Sequence, residues 1–293
     1  MASLATPPEV QVKTKWKISK SPSSWLVWGA VIFFFINLVG VIGTVVVSSF
    51  GTEWFDGWLP AGWTLSFYQT AWHDYQVAEL LKVTLKVAGA VVLIAILVGT
   101  PAAYALARRD FPGKRIVMLC FLLPIMLPPI TFGIPLATFI YKLNLGGTLL
   151  GVIIANLVPA IPFVILVLTP FIEQIDPRIE SAARICGANT WQIFWRILAP
   201  LIVPGLLAAA LLVLVQTVAL FELTYLVSGP TSTTLVVALY YAVFASGIRP
   251  YQAISAMAVF YMLSTLFILI VALRFVSPTQ LVSRVRNTSE EKN

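Results

Sequence analysis

Glu222 is the only acid that sits well inside an apolar stretch, with Gln216 six residues before it and Tyr225 three after. Asn156 and Thr131 lie in two further apolar runs. Polar groups at membrane depth are costly, so each is a functional suspect. Facing a pore, Glu222 can contact the hydroxyls of a sugar or neutralise an amine; at the headgroup boundary, or paired with a polar group of a partner subunit, it plays neither role. Both readings are open. Patterns for chemistry are otherwise missing. The chain has no G-x4-G-K-[ST] phosphate loop, so it is not expected to bind and hydrolyse ATP itself. It has no H-E-x-x-H or G-x-S-x-G motif to suggest an enzyme. Cys120 and Cys186 make neither a disulfide framework nor a metal spacing and read as free thiols. The single histidine, His73, reads as a polar surface residue more readily than as a metal ligand or proton relay.

The other informative stretch is polar and runs from Gln174 to Pro200, long for a connector. Asp176 can cap a helix that has Pro177 at its first position, running from Arg178 to Cys186 with Ser181, Ala182 and Ala183 along it. Gly187 suits a C-terminal stop, after which Asn189 or Thr190 can cap a second helical piece reaching Ile197 and ended by Pro200. Small side chains let a partner's groove close on the backbone, and Glu180 and Arg184, four apart, can pair with each other or meet a partner's charges.

These residues must be held by membrane helices. Hydrophobic residues make up 59% of the chain and charged residues 11%, with a mean hydropathy of +0.92, too apolar for a soluble domain. The net charge of +7 comes from short Lys/Arg blocks between apolar runs, with no basic stripe interleaved with aromatics, so nucleic-acid binding is not expected. A spanning helix needs roughly 20 apolar residues. Six segments qualify, near 25–50, 80–107, 116–141, 148–173, 199–227 and 252–275. The first is too long for a signal-peptide core of about 7–15 residues and is expected to stay as a membrane helix. Leu235 to Phe244 is apolar but short, suggesting an interfacial or re-entrant piece on the outer side. Pro124, Pro128, Pro129 and Pro135 in the third span, and Pro159 and Pro162 in the fourth, predict kinks that border a path or simply fit the packing.

With the N-terminus inside, fifteen Lys and Arg fall in inner segments and two, Lys142 and Arg249, in outer ones, or four if Lys82 and Lys86 are added. That bias places both termini in the cytoplasm. The expected organisation is a cytoplasmic tail over 1–24, a first helix over 25–50 and an external loop over 51–79 whose Trp54, Trp58, Trp63 and Trp72 suit the interface. A core of five helices over 80–275 contains the inner loop 174–200, and a second tail covers 276–293.

The inner loop resembles that of the permeases of binding-protein-dependent ABC importers, whose motif is E-A-A-x3-G-x9-I-x-L-P. Here Ser181-Ala182-Ala183, Gly187, Ile197 and Ala199-Pro200 keep every spacing. Ser181 stands where the family has Glu, with Glu180 immediately before it, and Ala199 replaces Leu. Whether Glu180 takes over the acidic contact or that contact is dispensable stays open. Tyr104-Ala105-Leu106-Ala107-Arg108 followed by Phe111-Pro112-Gly113-Lys114 is similar to the end of the second span in maltose-type and polyamine-type permeases, and Leu59-Pro60 with Trp63-Thr64-Leu65 and Tyr68 to the sugar branch. The resemblance implies the all-α, six-helix type I importer permease fold in a bacterial or archaeal cytoplasmic membrane. It implies a coupling site of Glu180, Ser181, Ala182, Ala183, Arg184, Gly187, Ile197 and Pro200. It also implies a second homologous permease, two cytoplasmic ATPases that hold ATP and Mg, and an external solute-binding protein, with no cofactor in this chain. A sugar or sugar derivative is favoured over a polyamine as solute. The competing reading is an ion-coupled secondary transporter, which would need intramembrane acids and an internal repeat; Glu222 is the one candidate acid.

Overall fold

The computed structural model describes residues 22–53, 60–244 and 250–275. The tail before residue 22, the 276–293 tail, Trp54, Trp58, Leu59 and Arg249 lie outside the described residues. In chain order the helices are α1 (Pro22–Phe50), α2 (Ser66–Asp74), α3 (Val77–Arg108), α4 (Lys114–Met126), α5 (Pro129–Lys142), α6 (Leu149–Glu173), α7 (Pro177–Ile185), α8 (Thr190–Ile193), α9 (Ala199–Ala219), α10 (Glu222–Val227), α11 (Leu235–Phe244) and α12 (Tyr251–Phe275). Among the described residues, five helical stretches are long and apolar enough to cross a membrane, and α4 with α5 makes a sixth if the bent pair counts as one span. The expected all-α architecture is therefore present.

The centre of the bundle is the pair α3 and α6. In lipid, helices gain little by hiding apolar surface from an equally apolar solvent, so small residues that allow close approach carry the packing. Ala88, Ala95, Gly99 and Ala103 supply such a row on α3, all buried. A Cβ at Gly99 would stand 2.7 Å from Val164 Cγ1, closer than packed atoms allow. The core continues through Val91, Val152, Ile165, Leu168, Ile172 and, on α9, Ala209 and Val213. By contrast α1 is peripheral: the most apolar stretch of it buries nothing within the chain, which suits a helix surrounded by lipid.

Two expected spans are broken. The third, expected over 116–141, is split into α4 and α5, which turn by 98° at Leu127–Pro128. Two consecutive prolines cause this. A residue before proline is driven out of the helical region, and Leu127 (ψ 142°) and Pro128 (ψ 131°) are both extended, after which Pro129 starts the next helix. Single prolines do less: α6 runs unbroken through Pro159, Pro162 and Pro170. The fifth span, expected over 199–227, breaks at Leu220 (ψ 101°), so α9 and the short α10 are separate helices. At its other end the second piece of the 174–200 stretch does not stop at Pro200. Residues Phe194–Leu198 form a π-helical turn that joins α8 to α9, with Ala199 N–H donating to Phe194 O. Pro200, lacking an N–H, is tolerated in the first turn of α9.

α6 runs from Leu149 to Glu173, so the 144–149 turn and the 174–200 loop lie at opposite ends of the bundle. At the 144–149 end two turns meet through glycine: a Cβ at Gly229 would stand 2.7 Å from Gly147 Cα. Gly147 N–H donates to Val227 O at 2.8 Å, and Ser232 Oγ donates to Gly147 O at 2.9 Å. The short α11 is fixed beside them, with Leu235 N–H donating to Thr84 Oγ1 on α3 at 2.9 Å. α2 lies at the same end, where its Tyr68 and Trp72 pack on Phe260 of α12.

Candidate functional site

The 174–200 loop is a helix, a turn and a second helix, with a side-chain cap at the start of each. Asp176 accepts from Arg178 N–H at 2.9 Å with Pro177 at the first helical position, which opens α7. Gly187 closes it in the left-handed region (φ 83°), with Gly187 N–H donating to Arg184 O and Ala188 N–H to Ala183 O, both at 3.0 Å. That is the glycine-dependent paired closure of a helix C-terminus. α8 opens with a reciprocal box in which Asn189 Oδ1 accepts from Gln192 N–H at 2.8 Å and Gln192 Oε1 accepts from Asn189 N–H at 2.9 Å. Local sequence alone thus dictates the shape of the loop.

Arg178, Ser181, Ala182, Arg184 and Gly187 are exposed, Ala183 is half-buried, and Ile185 and Trp191 are 88% and 70% exposed. Two large apolar side chains thus stand in the open on a polar loop. Ile197 is half-buried and Pro200 exposed, on the turn that leads into α9.

Glu180 departs from expectation. It is 6% exposed, the only buried residue of α7, and its partner is not Arg184. Arg108 Nε donates to Glu180 Oε1 at 2.7 Å, Tyr104 Oη donates to Oε2 at 2.9 Å, and Arg108 Nη2 donates to Ile175 O at 2.8 Å. Both carboxylate oxygens are engaged inside the chain, so Glu180 does not supply an outward acidic contact in place of Ser181. The Ser181 hydroxyl donates back to Pro177 O at 3.3 Å. A polar cleft of about 410 Å³ opens beside this group, lined by Tyr104, Arg108, Arg109, Glu180, Ser181 and Arg184. Sequence reasoning did not place Tyr104 and Arg108 in the site. Their spacing of four on one helix face was the available signal.

The residues singled out in the spans separate. Asn156 is 1% exposed, and its amide donates to Val152 O at 2.9 Å and to Thr224 Oγ1 at 3.1 Å. The second of these bonds ties α6 to α10. Thr131 is exposed on α5, and Gln216 is half-buried on α9. Glu222 sits in the first turn of α10, just past the break, half-exposed and without an ion pair among the described residues. An acid at a helix N-terminus is favoured by the local N–H dipoles, so the break eases the cost of placing it there. Tyr225 belongs to a cluster that sequence reasoning missed. Phe221 and Tyr225 stack at 5.1 Å, Phe221 lies 4.7 Å from Tyr240, Tyr240 is 4.5 Å from Phe244, and Tyr225 is 5.7 Å from Tyr241. Tyr241 and Phe244 are 48% and 67% exposed. The cluster joins α10 to α11 at the end opposite the loop.

A broken-helix membrane bundle with an ordered, exposed loop at one end and an aromatic, hydroxyl-bearing surface at the other is the class of a solute permease. The chain belongs to the family of binding-protein-dependent transport system inner membrane components, whose profile matches residues 95–282, from the middle of α3 past α12. It is 38% identical over 123 residues to the trehalose transport system permease protein SugB of Mycobacterium tuberculosis, covering 42% of this chain and 45% of that protein. It is 34% identical over 140 residues to the molybdate/tungstate transport system permease protein WtpB of Thermococcus kodakarensis, covering 48% and 56%. These matches span about half the length of the relatives. In three dimensions it resembles a chain of a bacterial ABC transporter involved in the import of the acidic polysaccharide alginate, with a TM-score of 0.72 at 19% identity over 87% of this chain and 98% of that one.

Proposed function

We propose that this chain is one permease subunit of an ATP-driven importer for a small polar solute, working beside a second homologous permease. The observation that carries this reading is the loop 174–200, capped at each end and exposed along α7, in a chain of this family. Two ATPases holding ATP and Mg receive the loops on the cytoplasmic side, where the distribution of Lys and Arg also puts both termini. An external solute-binding protein delivers cargo at the α10–α11 end. The chain itself performs no catalysis. The membrane is the cytoplasmic membrane of a bacterium or archaeon.

A sugar or sugar derivative is the favoured solute. Aromatic faces stack on the apolar faces of pyranose rings while tyrosine hydroxyls meet their hydroxyls, and the Phe221, Tyr225, Tyr240, Tyr241, Phe244 cluster offers both. The trehalose permease among the relatives supports the same class, whereas a molybdate path would call for cationic or N–H donors. Closure of the ATPases moves the loops and rocks the two bundles between inward-facing and outward-facing states.

The test is uptake into vesicles that hold the assembled complex, with a panel of disaccharides, polyamines and oxyanions. ATP-dependent uptake of a disaccharide, unaffected by collapsing proton and sodium gradients, is expected. Uptake that follows the ion gradient without ATP overturns the reading in favour of an ion-coupled transporter.

A further inference from the structure

Ile175, Ile193 and Leu198 at the two ends of the loop are buried in apolar packing, and α7 between them could be expected to rest on the spans in the same way. It does not. The one buried residue of α7 is its carboxylate, while Ile179 and Ile185 of the same helix are 43% and 88% exposed. Glu180 is gripped from α3 by Arg108 and Tyr104, seventy-two and seventy-six residues earlier in sequence. Arg108 spans the junction, because its second nitrogen donates to Ile175 O in the linker between α6 and α7. Tyr104 also lies edge-on to Phe194 at 5.8 Å, at the start of the π-helical turn that leads into α9.

We infer that the Arg108–Glu180–Tyr104 group is the tie through which displacement of α7 is passed to α3, and through α3 to the central α3–α6 pair. The inference rests on the importer reading above and adds these as positioning residues for its coupling step. Three physical points support it. Both ends of the tie are carried by helices: Glu180 sits mid-helix in a helix closed at both termini, and Tyr104 and Arg108 form the last turn of a 32-residue helix. The bonds are short and charge-assisted, which makes them directional as apolar packing is not. The pair is also largely shielded, with side-chain exposures of 11% and 7% at the edge of the polar cleft, so it is screened less than an open surface pair. A buried pair that merely stabilised the fold would be easily replaced by apolar side chains; one that fixes the angle between two helices would not.

The experiment uses the whole complex captured on this chain, reconstituted with its solute-binding protein and ATP, and reads solute moved per ATP hydrolysed together with the amount of assembled complex. Glu180→Gln keeps the shape and removes the charge. It is expected to lower solute moved per ATP about tenfold with the amount of complex unchanged, in line with the loss of one charge-assisted contact. Tyr104→Phe, which removes a single hydroxyl and keeps the ring on Phe194, is expected to lower the ratio about two- to threefold, and serves alone if Glu180→Gln assembles poorly. Arg108→Lys should retain more coupling than Arg108→Gln, since it can still pair with Glu180. A normal ratio in Glu180→Gln or Tyr104→Phe, whether or not less complex is recovered, overturns the tie and leaves a purely structural ion pair. Absence of ATP-driven uptake in the wild-type complex is a different failure: it overturns the importer reading, and the tie with it.

Discussion

The two ends of the bundle are built by different physics. At the loop end, short helices are shaped by local capping, and α7 is held to the spans by one buried charged group. At the opposite end, α10 and α11 are held by close glycine contact, hydroxyl-to-backbone bonds and stacked rings. The loop end leaves apolar side chains standing free on a rigid frame, as a surface destined for another protein would. The aromatic end is continuous with the packing of the spans, as a surface that must change shape with them would be. A loop that shapes itself can be moved as a unit; an end that is woven into the core moves only when the core does.

Replacing Gly187 breaks the contrast most severely. A Cβ at Gly187 meets nothing within 4 Å, so Gly187→Asp faces only its left-handed backbone, at about 1–2 kcal/mol and less for Asp than for most residues. The chain should insert and assemble normally, while hydrolysis stimulated by loaded solute-binding protein falls at least about tenfold because the new side chain projects into the docking surface. Stimulated hydrolysis by the purified complex checks this. The equivalent change at the other end should do the reverse. Gly229→Ala drives a methyl into Gly147 and should cost about 1–3 kcal/mol of stability, seen as a lower thermal midpoint of the solubilised chain, with coupling unaffected per folded complex.

Smaller effects sharpen the picture. Tyr240→Ala removes the ring that touches Phe221, Tyr225 and Phe244, and should raise the solute concentration for half-maximal uptake about fivefold, the worth of one stacking partner. The smallest change is expected for Asn156→Ala, about 1 kcal/mol of stability from the lost bond to Thr224, with the solute preference unchanged because the amide is packed between helices. An altered solute preference in that variant would place Asn156 on the path.

How far each part was readable from the sequence follows from how local its causes are. Asp176, Pro177, Gly187 and Asn189 act on their immediate neighbours, so the loop was legible residue by residue. The apolar runs set the spans for the same reason. The sharp turn at Pro128–Pro129 was visible only as a kink, since the sequence marks where a helix must stop but not the direction in which its neighbours take the chain. The break at Leu220 carries no proline or glycine, so a continuous span was the natural expectation, and the setting of Glu222 was missed with it. Pro200 ended no helix because a π-helical turn absorbed it. Arg108 with Glu180, and Phe221 with Tyr240, are contacts between separate helices; spacing along the chain names the candidates but not the pairing.

In the proposed importer, the loop of this chain is driven by a separate ATPase. The direct test is to tag the chain at its C-terminus, extract it gently from its native membrane and identify what is retained. Stoichiometric recovery of an ATPase and of a second permease is the predicted result. Recovery of the chain alone or as a homodimer, with proton-driven uptake preserved in vesicles, would contradict the account and make Glu222 the leading ion-coupling residue.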